Sequence, residues 1–268
     1  MPKIIAICNQ KGGTGKTTTA VNLSAALADM SRGEPPDRPY KILLIDMDPQ
    51  GNATSGVGVN KNEIKASIYD VLIQKAGITD VIIPTSYPNL YLAPCNINLT
   101  GAEIELVGAL SRETRLKKAI DAVKSQYDFI FIDSPPSLGL LTLNTLVAAD
   151  SILIPIQCEF YALEGVSWLL NTVNLIRDGL NPRLVIEGVL LTMADFRTNL
   201  TNEVINEIKG FFKDKVYHTI IPRNIRLSEA PSFGKPIHIY DPTSAGAVKY
   251  RELAQEMLGV KRESLNIS

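Results

Sequence analysis

Five short, mostly apolar runs punctuate the chain, at residues 4–8, 42–45, 129–132, 152–156 and 185–191. A strand with one wet face alternates apolar and polar positions. Runs that do not alternate read as strands buried on both faces, the pattern of a parallel sheet covered by helices on either side. Residues 17–30, 112–124, 140–148, 162–177, 201–212 and 244–258 read as the intervening helices. The last two open beside polar cap residues, Asn199 or Leu200-Thr201 in one case and Thr243-Ser244 in the other. Strand and helix in alternation predict an α/β fold: a doubly wound, mostly parallel sheet flanked by helices on both faces. Residues 31–40, with three prolines and a glycine among polar side chains, read as an exposed loop between the first helix and the second strand.

At 268 residues the chain is long enough for one α/β domain or two small ones, and 45% hydrophobic residues supply a sizeable core. The pattern favours one domain over 1–268, without internal repeat or low-complexity tract. Cys8, Cys95 and Cys158 are far apart and form no C-x-x-C pair, which reads as buried thiols in a reducing cytosol. No run approaches membrane-spanning length and the N-terminus does not resemble a signal peptide, so a soluble, cytoplasmic protein is expected. His218 and His238 lie near apolar strand-like segments without metal-ligand spacing and read as structural. Trp168, with Leu163, Leu169, Leu170 and Val173, reads as packing a helix against the sheet or a dimer interface, and Glu103-Ile104-Glu105 as facing solvent.

The first apolar run leads into Asn9-Gln10-Lys11-Gly12-Gly13-Thr14-Gly15-Lys16-Thr17-Thr18. Closely spaced glycines let backbone N–H groups turn inward around phosphate oxygens. Lys16 can set its ammonium against the terminal phosphates, and the Thr17 hydroxyl can ligate Mg2+. The implied chemistry is binding of ATP or GTP by residues 11–18. Gln10 stands where the general phosphate-loop pattern has glycine, and a second lysine, Lys11, sits at the loop's mouth. Since Lys16 already serves the phosphates of its own loop, Lys11 could project towards a second nucleotide.

In such a sheet the ligand lies beyond the carboxyl ends of the strands. The second run ends in Asp46-Met47-Asp48-Pro49-Gln50-Gly51-Asn52, and alternation sends Asp46 and Asp48 to one side. The run 129–132 ends in Asp133-Ser134-Pro135-Pro136-Ser137; a carboxylate directly after four bulky apolar residues is the Walker B arrangement, which holds Mg2+ through a water.

The loop with its extra lysine resembles the ParA/MinD-like branch of P-loop ATPases, in which that lysine is called the signature lysine. The resemblance implies an ATP-sandwich homodimer in which Lys11 reaches the partner's nucleotide. The 46–52 segment resembles the family's D-x-D-P-Q-G-N motif, whose second aspartate positions the attacking water. By that likeness Asp48 is the hydrolytic residue, and Asp46 supports the magnesium shell or the loop geometry. Segments 99–106, 157–165 and 221–231 extend the resemblance to Soj-type ParA proteins of chromosome partition over nearly the whole chain. That likeness implies Mg2+-dependent ATP hydrolysis, non-specific binding of double-stranded DNA, nucleoid association, and stimulation by a ParB-type centromere-binding partner. It also puts Met193, Pro222 and Asn224 near the adenine. The 31–40 loop departs from the short turn usual in the family without touching a motif residue.

A net charge of −1 provides no global field for DNA, yet the charge is uneven. Residues 197–251 hold nine Lys and Arg against five Asp and Glu, and residues 1–196 hold sixteen against twenty. Candidate phosphate contacts are Arg197, Arg226, Lys235, Lys249 and Arg251, the two arginines also by likeness to Soj. Spacing alone describes a solvated basic face equally well. No helix-turn-helix precedes the phosphate loop, which argues against reading a specific operator. A MinD-like membrane ATPase would need a basic amphipathic helix at the C-terminus, where residues 258–268 are short and lack bulky apolar residues on one face, so stable membrane association is not expected. Electron transfer of the nitrogenase iron-protein kind would need cluster cysteines that the Walker B region lacks. A ParA-like ATPase that positions another cargo remains open.

Overall fold

Strand β1 (Lys3–Ile7) leads through the phosphate loop into helix α1 (Lys16–Ala28), and the rest of the sheet is laid out around this unit. The computed structural model describes residues 2–30, 38–159 and 162–260. Most of the 31–40 loop, Phe160, Tyr161 and the tail 261–268 lie outside the described residues.

The chain continues through β2 (Ile42–Asp46), α2 (Asn52–Gly56), α3 (Ile68–Leu72), α4 (Ile78–Val81), β3 (Ile83–Pro84), β4 (Leu90–Ala93) and α5 (Leu99–Glu105). There follow α6 (Arg115–Asp121), β5 (Phe129–Asp133), α7 (Leu140–Ala148), β6 (Ser151–Gln157), α8 (Glu164–Gly179) and β7 (Val185–Thr192). Helices α9 (Asn199–Phe212), α10 (Ile225–Glu229), α11 (Ile237–Tyr240) and α12 (Ala245–Met257) complete the fold. The strands form one seven-stranded sheet in the order β3-β4-β2-β5-β1-β6-β7. All pairs are parallel except β3 with β4.

The expected two-faced burial is present. On one face Ile4, Ala6, Leu43, Ile45, Ile130 and Ile132 pack beneath α3 to α9; on the other Ile5, Ile7, Ile42, Leu44 and Phe131 pack beneath α1 and α12. Each strand residue thus meets apolar neighbours whichever way the pleat turns it, which is why the runs do not alternate. Pro155 lies within β6, where a missing N–H would ordinarily break a ladder. β1 pairs with β6 no further than Leu153, so the proline sits past the end of its neighbour.

Several expectations need correction. The pair β3 and β4 was not legible, because these strands have two and four residues and Tyr91 interrupts the apolar run. The 112–124 helix is a 3-10 turn at Arg112–Thr114 followed by α6, which ends at Asp121. Helix α9 is capped by Thr198, whose hydroxyl accepts the Thr201 N–H at 3.3 Å; Ser244 caps α12 as expected. His238 lies in α11 rather than beside a strand. Of the two surfaces expected for Trp168, the sheet is excluded, since Trp168 is 67% exposed and Val166, Leu169, Val173 and Ile176 pack α8 there; an exposed Trp168 is compatible with the other, a dimer interface. Ile104 faces solvent as expected.

Candidate nucleotide site

The ends of β1, β2 and β5 are flush: Ile7 is the register partner of Asp133, and Asp133 that of Asp46. The sheet therefore delivers the phosphate loop and both aspartate motifs to one place without help from the loops.

Asn9 braces the loop, donating from Nδ2 to the Pro155 carbonyl at 2.7 Å and accepting the Lys11 N–H on Oδ1 at 3.0 Å. Gly13 and Gly15 adopt φ of 75° and 87°, the left-handed region where a side chain is strained. Gly12 and Gly13 are exposed, and a Cβ added at either would meet nothing within 4 Å, so this side of the loop is open to a ligand. Thr14 is buried, and its carbonyl accepts the Thr192 hydroxyl at 2.9 Å, which fastens the loop to the end of β7.

Lys16 is buried and donates to the Lys11 carbonyl at 3.0 Å. Burial holds its ammonium below the usual lysine range, against the pull of Asp133, so an anion in the loop would relieve it. Lys11 behaves differently. Its carbonyl turns into the loop, but its half-exposed side chain runs outward to Glu159, with Nζ 3.6 Å from Oε2.

The two aspartates with metal assignments differ. Asp46 is fully buried with both oxygens engaged: Oδ1 accepts the Asp48 N–H at 3.2 Å, and Oδ2 accepts the Thr54 N–H at 2.8 Å and hydroxyl at 2.7 Å. Between the alternatives of magnesium shell and loop geometry, these bonds favour loop geometry. Asp133 is equally buried, yet no protein donor among the described residues meets either oxygen in hydrogen-bond geometry. Burial and then Asp46 push the Asp133 carboxyl well up, with Thr17 and Lys16 drawing it part of the way back. Burial likewise raises Asp46 to about 6. Two orphaned buried oxygens beside the Thr17 hydroxyl fit a hydrated Mg2+. Among the described residues no three His, Cys, Asp or Glu side chains converge as a protein-only metal cage. Mg2+ needs none, since it keeps waters and takes phosphate oxygens. Asp48, nearly buried, accepts the Gln50 N–H on Oδ1 at 3.0 Å.

Next to the loop lies a cavity of about 560 Å³ lined by Gly15, Thr18, Met193, Pro222, Asn224 and Tyr250, among others. Met193, Pro222 and Asn224, expected near the base, thus line one cavity with Gly15 and Thr18 of the loop, although Asn224 already uses Oδ1 to cap α10 through the Arg226 N–H. Thr192 and Tyr250 escaped the sequence reading. Thr192 follows an apolar run just as Asp133 does, and the inward helical spacing of Ala247, Tyr250 and Ala254 marked Tyr250. A second cavity of about 520 Å³, between the α3–α4 turn and α6, contains none of these residues.

Of the basic candidates, Arg197 is highly exposed and pairs with Asp195 at 2.6 Å. Arg226 on α10 pairs with Glu229 at 2.9 Å and Asp241 at 3.4 Å, and Lys249 on α12 with Glu252 at 2.9 Å. Lys235 and Arg251 are exposed.

The AAA_31 family, described as an AAA domain, matches residues 2–186. The sporulation initiation inhibitor protein Soj of Bacillus subtilis is 59% identical over 96% of this chain and 98% of its own length. The chain belongs to the ParA/Soj family of partition ATPases. The chromosome partitioning protein ParA of Myxococcus xanthus is 52% identical over 96% of this chain and 88% of its own. Among solved structures, this ParA/Soj chain resembles the cobyrinic acid a,c-diamide synthase of Mycobacterium smegmatis with bound ATP analog and magnesium. They are 34% identical, with a TM-score of 0.82 over 96% of this chain and 95% of that one. The cell division ATPase MinD of Pyrococcus furiosus aligns with a TM-score of 0.78 at 27% identity, over 97% of this chain and all of its own. Among the described residues of this ParA/Soj member no helix is long and apolar enough to cross a membrane.

Proposed function

We propose that this chain is an ATP-operated switch for chromosome or plasmid partition. ATP with Mg2+ joins two copies, the dimer holds double-stranded DNA without sequence preference, and hydrolysis, accelerated by a ParB-type partner, releases it. The protein would then sit in the cytoplasm on the nucleoid.

The roles proposed for the site residues are these. The N–H groups of residues 12–18 cradle the phosphates, and Lys16 neutralises them from within the loop. Thr17 and, through water, Asp133 would hold Mg2+, which when bound supplies positive charge against the phosphate oxygens. Asp48 orients the attacking water. Met193, Pro222 and Asn224 enclose the base.

The observation that supports a switch, rather than a plain nucleotide-binding domain, is the divergence of the two lysines. Lys16 is buried within the loop, while the Lys11 side chain leaves it towards Glu159. A cation held outside its own loop is free of the phosphates bound there, which supports a role for Lys11 at a nucleotide in another subunit. Titration calorimetry and light scattering test this. Lys16→Ala is expected to lose ATP binding, and Lys11→Ala to keep binding but lose ATP-dependent dimerisation. Normal dimerisation of Lys11→Ala would overturn the assignment across the interface.

A further inference from the structure

Three elements meet behind Asp48: the end of β2, the start of α2 and the end of β4. One side chain joins them. Thr54 of α2, fully buried, donates its hydroxyl to Asp46 Oδ2 at 2.7 Å and accepts the Cys95 N–H at 2.9 Å. Its own N–H also donates to Asp46 Oδ2, at 2.8 Å. Asp46 in turn accepts the Asp48 N–H on its other oxygen. The Cys95 thiol, kept neutral because burial and then the neighbouring carboxylates push it far up, donates to the Asp48 carbonyl at 3.1 Å. The backbone of Asp48 is therefore held at both its N–H and its carbonyl by groups that themselves converge on Thr54.

We propose that Thr54 is a positioning residue for ATP hydrolysis, setting the Asp48 carboxylate through Asp46 on one side and Cys95 on the other. The proposal rests on the reading of Asp48 as the residue that orients water. Asp46 is then an anchor of the Asp48 turn. The hydroxyl of Thr54 spends one donor and one acceptor. Removing it leaves a buried carboxylate oxygen and a buried N–H each one partner short, and the strain is relieved by movement of the turn they hold. Although α2 also packs on α1, the phosphate loop has bracing of its own that does not pass through Thr54: Asn9 holds it to Pro155 of β6, and Thr192 at the end of β7 holds Thr14. Loss of the hydroxyl should therefore reach kcat and spare binding.

The experiment compares Thr54→Val, Thr54→Ser and Cys95→Ala with wild type and Asp48→Ala, measuring single-turnover ATP hydrolysis and ATP affinity by calorimetry. Thr54→Val should lower the hydrolysis rate about 10- to 100-fold, the scale of a displacement of about 1 Å in a positioned group. ATP affinity should change by less than about threefold, and Thr54→Ser, which restores the hydroxyl, should recover the rate to within about threefold. Cys95→Ala should fall in the same direction by a smaller factor, and it carries the test if Thr54→Val does not fold. Adding Thr54→Val to Asp48→Ala should produce no further loss. Wild-type rates in both Thr54→Val and Cys95→Ala, or a matching loss of ATP affinity, would overturn the proposal. If Asp48→Ala itself hydrolyses ATP normally, the reading of Asp48 fails and this one with it. If Asp48→Ala is inactive while Thr54→Val is normal, the positioning role alone is lost.

Discussion

Asp46 and Asp133 face each other across β2 and β5 as register partners, two fully buried carboxylates with opposite surroundings. Asp46 is saturated by Thr54 and the Asp48 N–H, whereas among the described residues no protein donor meets Asp133 in hydrogen-bond geometry, the Thr17 hydroxyl lying nearby. Like charges so placed destabilise the nucleotide-free fold, and burial is the larger part of that penalty. Asp133→Asn should therefore raise the melting temperature of the nucleotide-free protein, because the gain from removing a buried carboxylate that burial and Asp46 both disfavour exceeds the loss of its attraction to Lys16. The same variant should lose Mg2+-dependent ATP hydrolysis. A lower melting temperature in differential scanning calorimetry would show that the Asp133 charge stabilises the fold, contrary to this account.

The proposed DNA contacts are backbone phosphates, so binding should need ATP, ignore sequence and weaken steeply with salt, the slope of log affinity against log salt scaling as about −0.9 per phosphate neutralised. Arg226 already has two acidic partners, Glu229 and Asp241. Arg226→Glu would leave three carboxylates together where a phosphate must approach, and binding should vanish while ATP-dependent dimerisation persists. Arg197→Glu, beside Asp195, should act likewise. Filter binding of random duplexes across a salt series reads each part; undiminished binding by both variants would eliminate this surface.

Gly234 tests the packing that supports the α10–α11 region. Its φ is +62°, and a Cβ there would lie 2.7 Å from the Cα of Gly58. Backbone cannot yield as a flexible side chain would. Gly234→Ala should cost about 1–3 kcal/mol, read as a lower denaturation midpoint in urea at unchanged slope. An unaltered midpoint would show that the two turns can separate freely.

Legibility in the sequence followed the range of the interactions. The central strands could be read because each is a run of apolar residues buried on both faces, and the phosphate loop because its glycines and lysines act within one turn of chain. The rule that ligands lie beyond the carboxyl ends of parallel strands singled out Asp46, Asp48 and Asp133 as candidates, and the family resemblance chose Asp48 among them for the attacking water. β3 and β4 were hidden because four residues with Tyr91 in the middle form no pattern of their own. Between the sheet and a dimer interface as the surface Trp168 packs on, helical spacing could not choose; its exposure removes only the sheet. The Thr54–Cys95 bond was out of reach altogether, since it joins residues 41 positions apart.

By itself the sequence determined the class of fold, the phosphate cradle and the pair of lysines, since glycine conformation, apolar runs and local charge are properties of neighbouring residues. The tertiary structure decided what each group does there. Asp46 and Asp133 are both acids at the ends of apolar strands, and the motifs around them left open whether Asp46 supports the magnesium shell or the loop geometry. Strand register places them opposite one another, and the arrival of α2 saturates one while leaving the oxygens of the other without a protein donor in hydrogen-bond geometry among the described residues. It likewise separates two lysines five positions apart, burying one in the loop and sending the other outward to Glu159. Burial and partnership depend on which distant segments pack together, and that is settled only when the chain has folded.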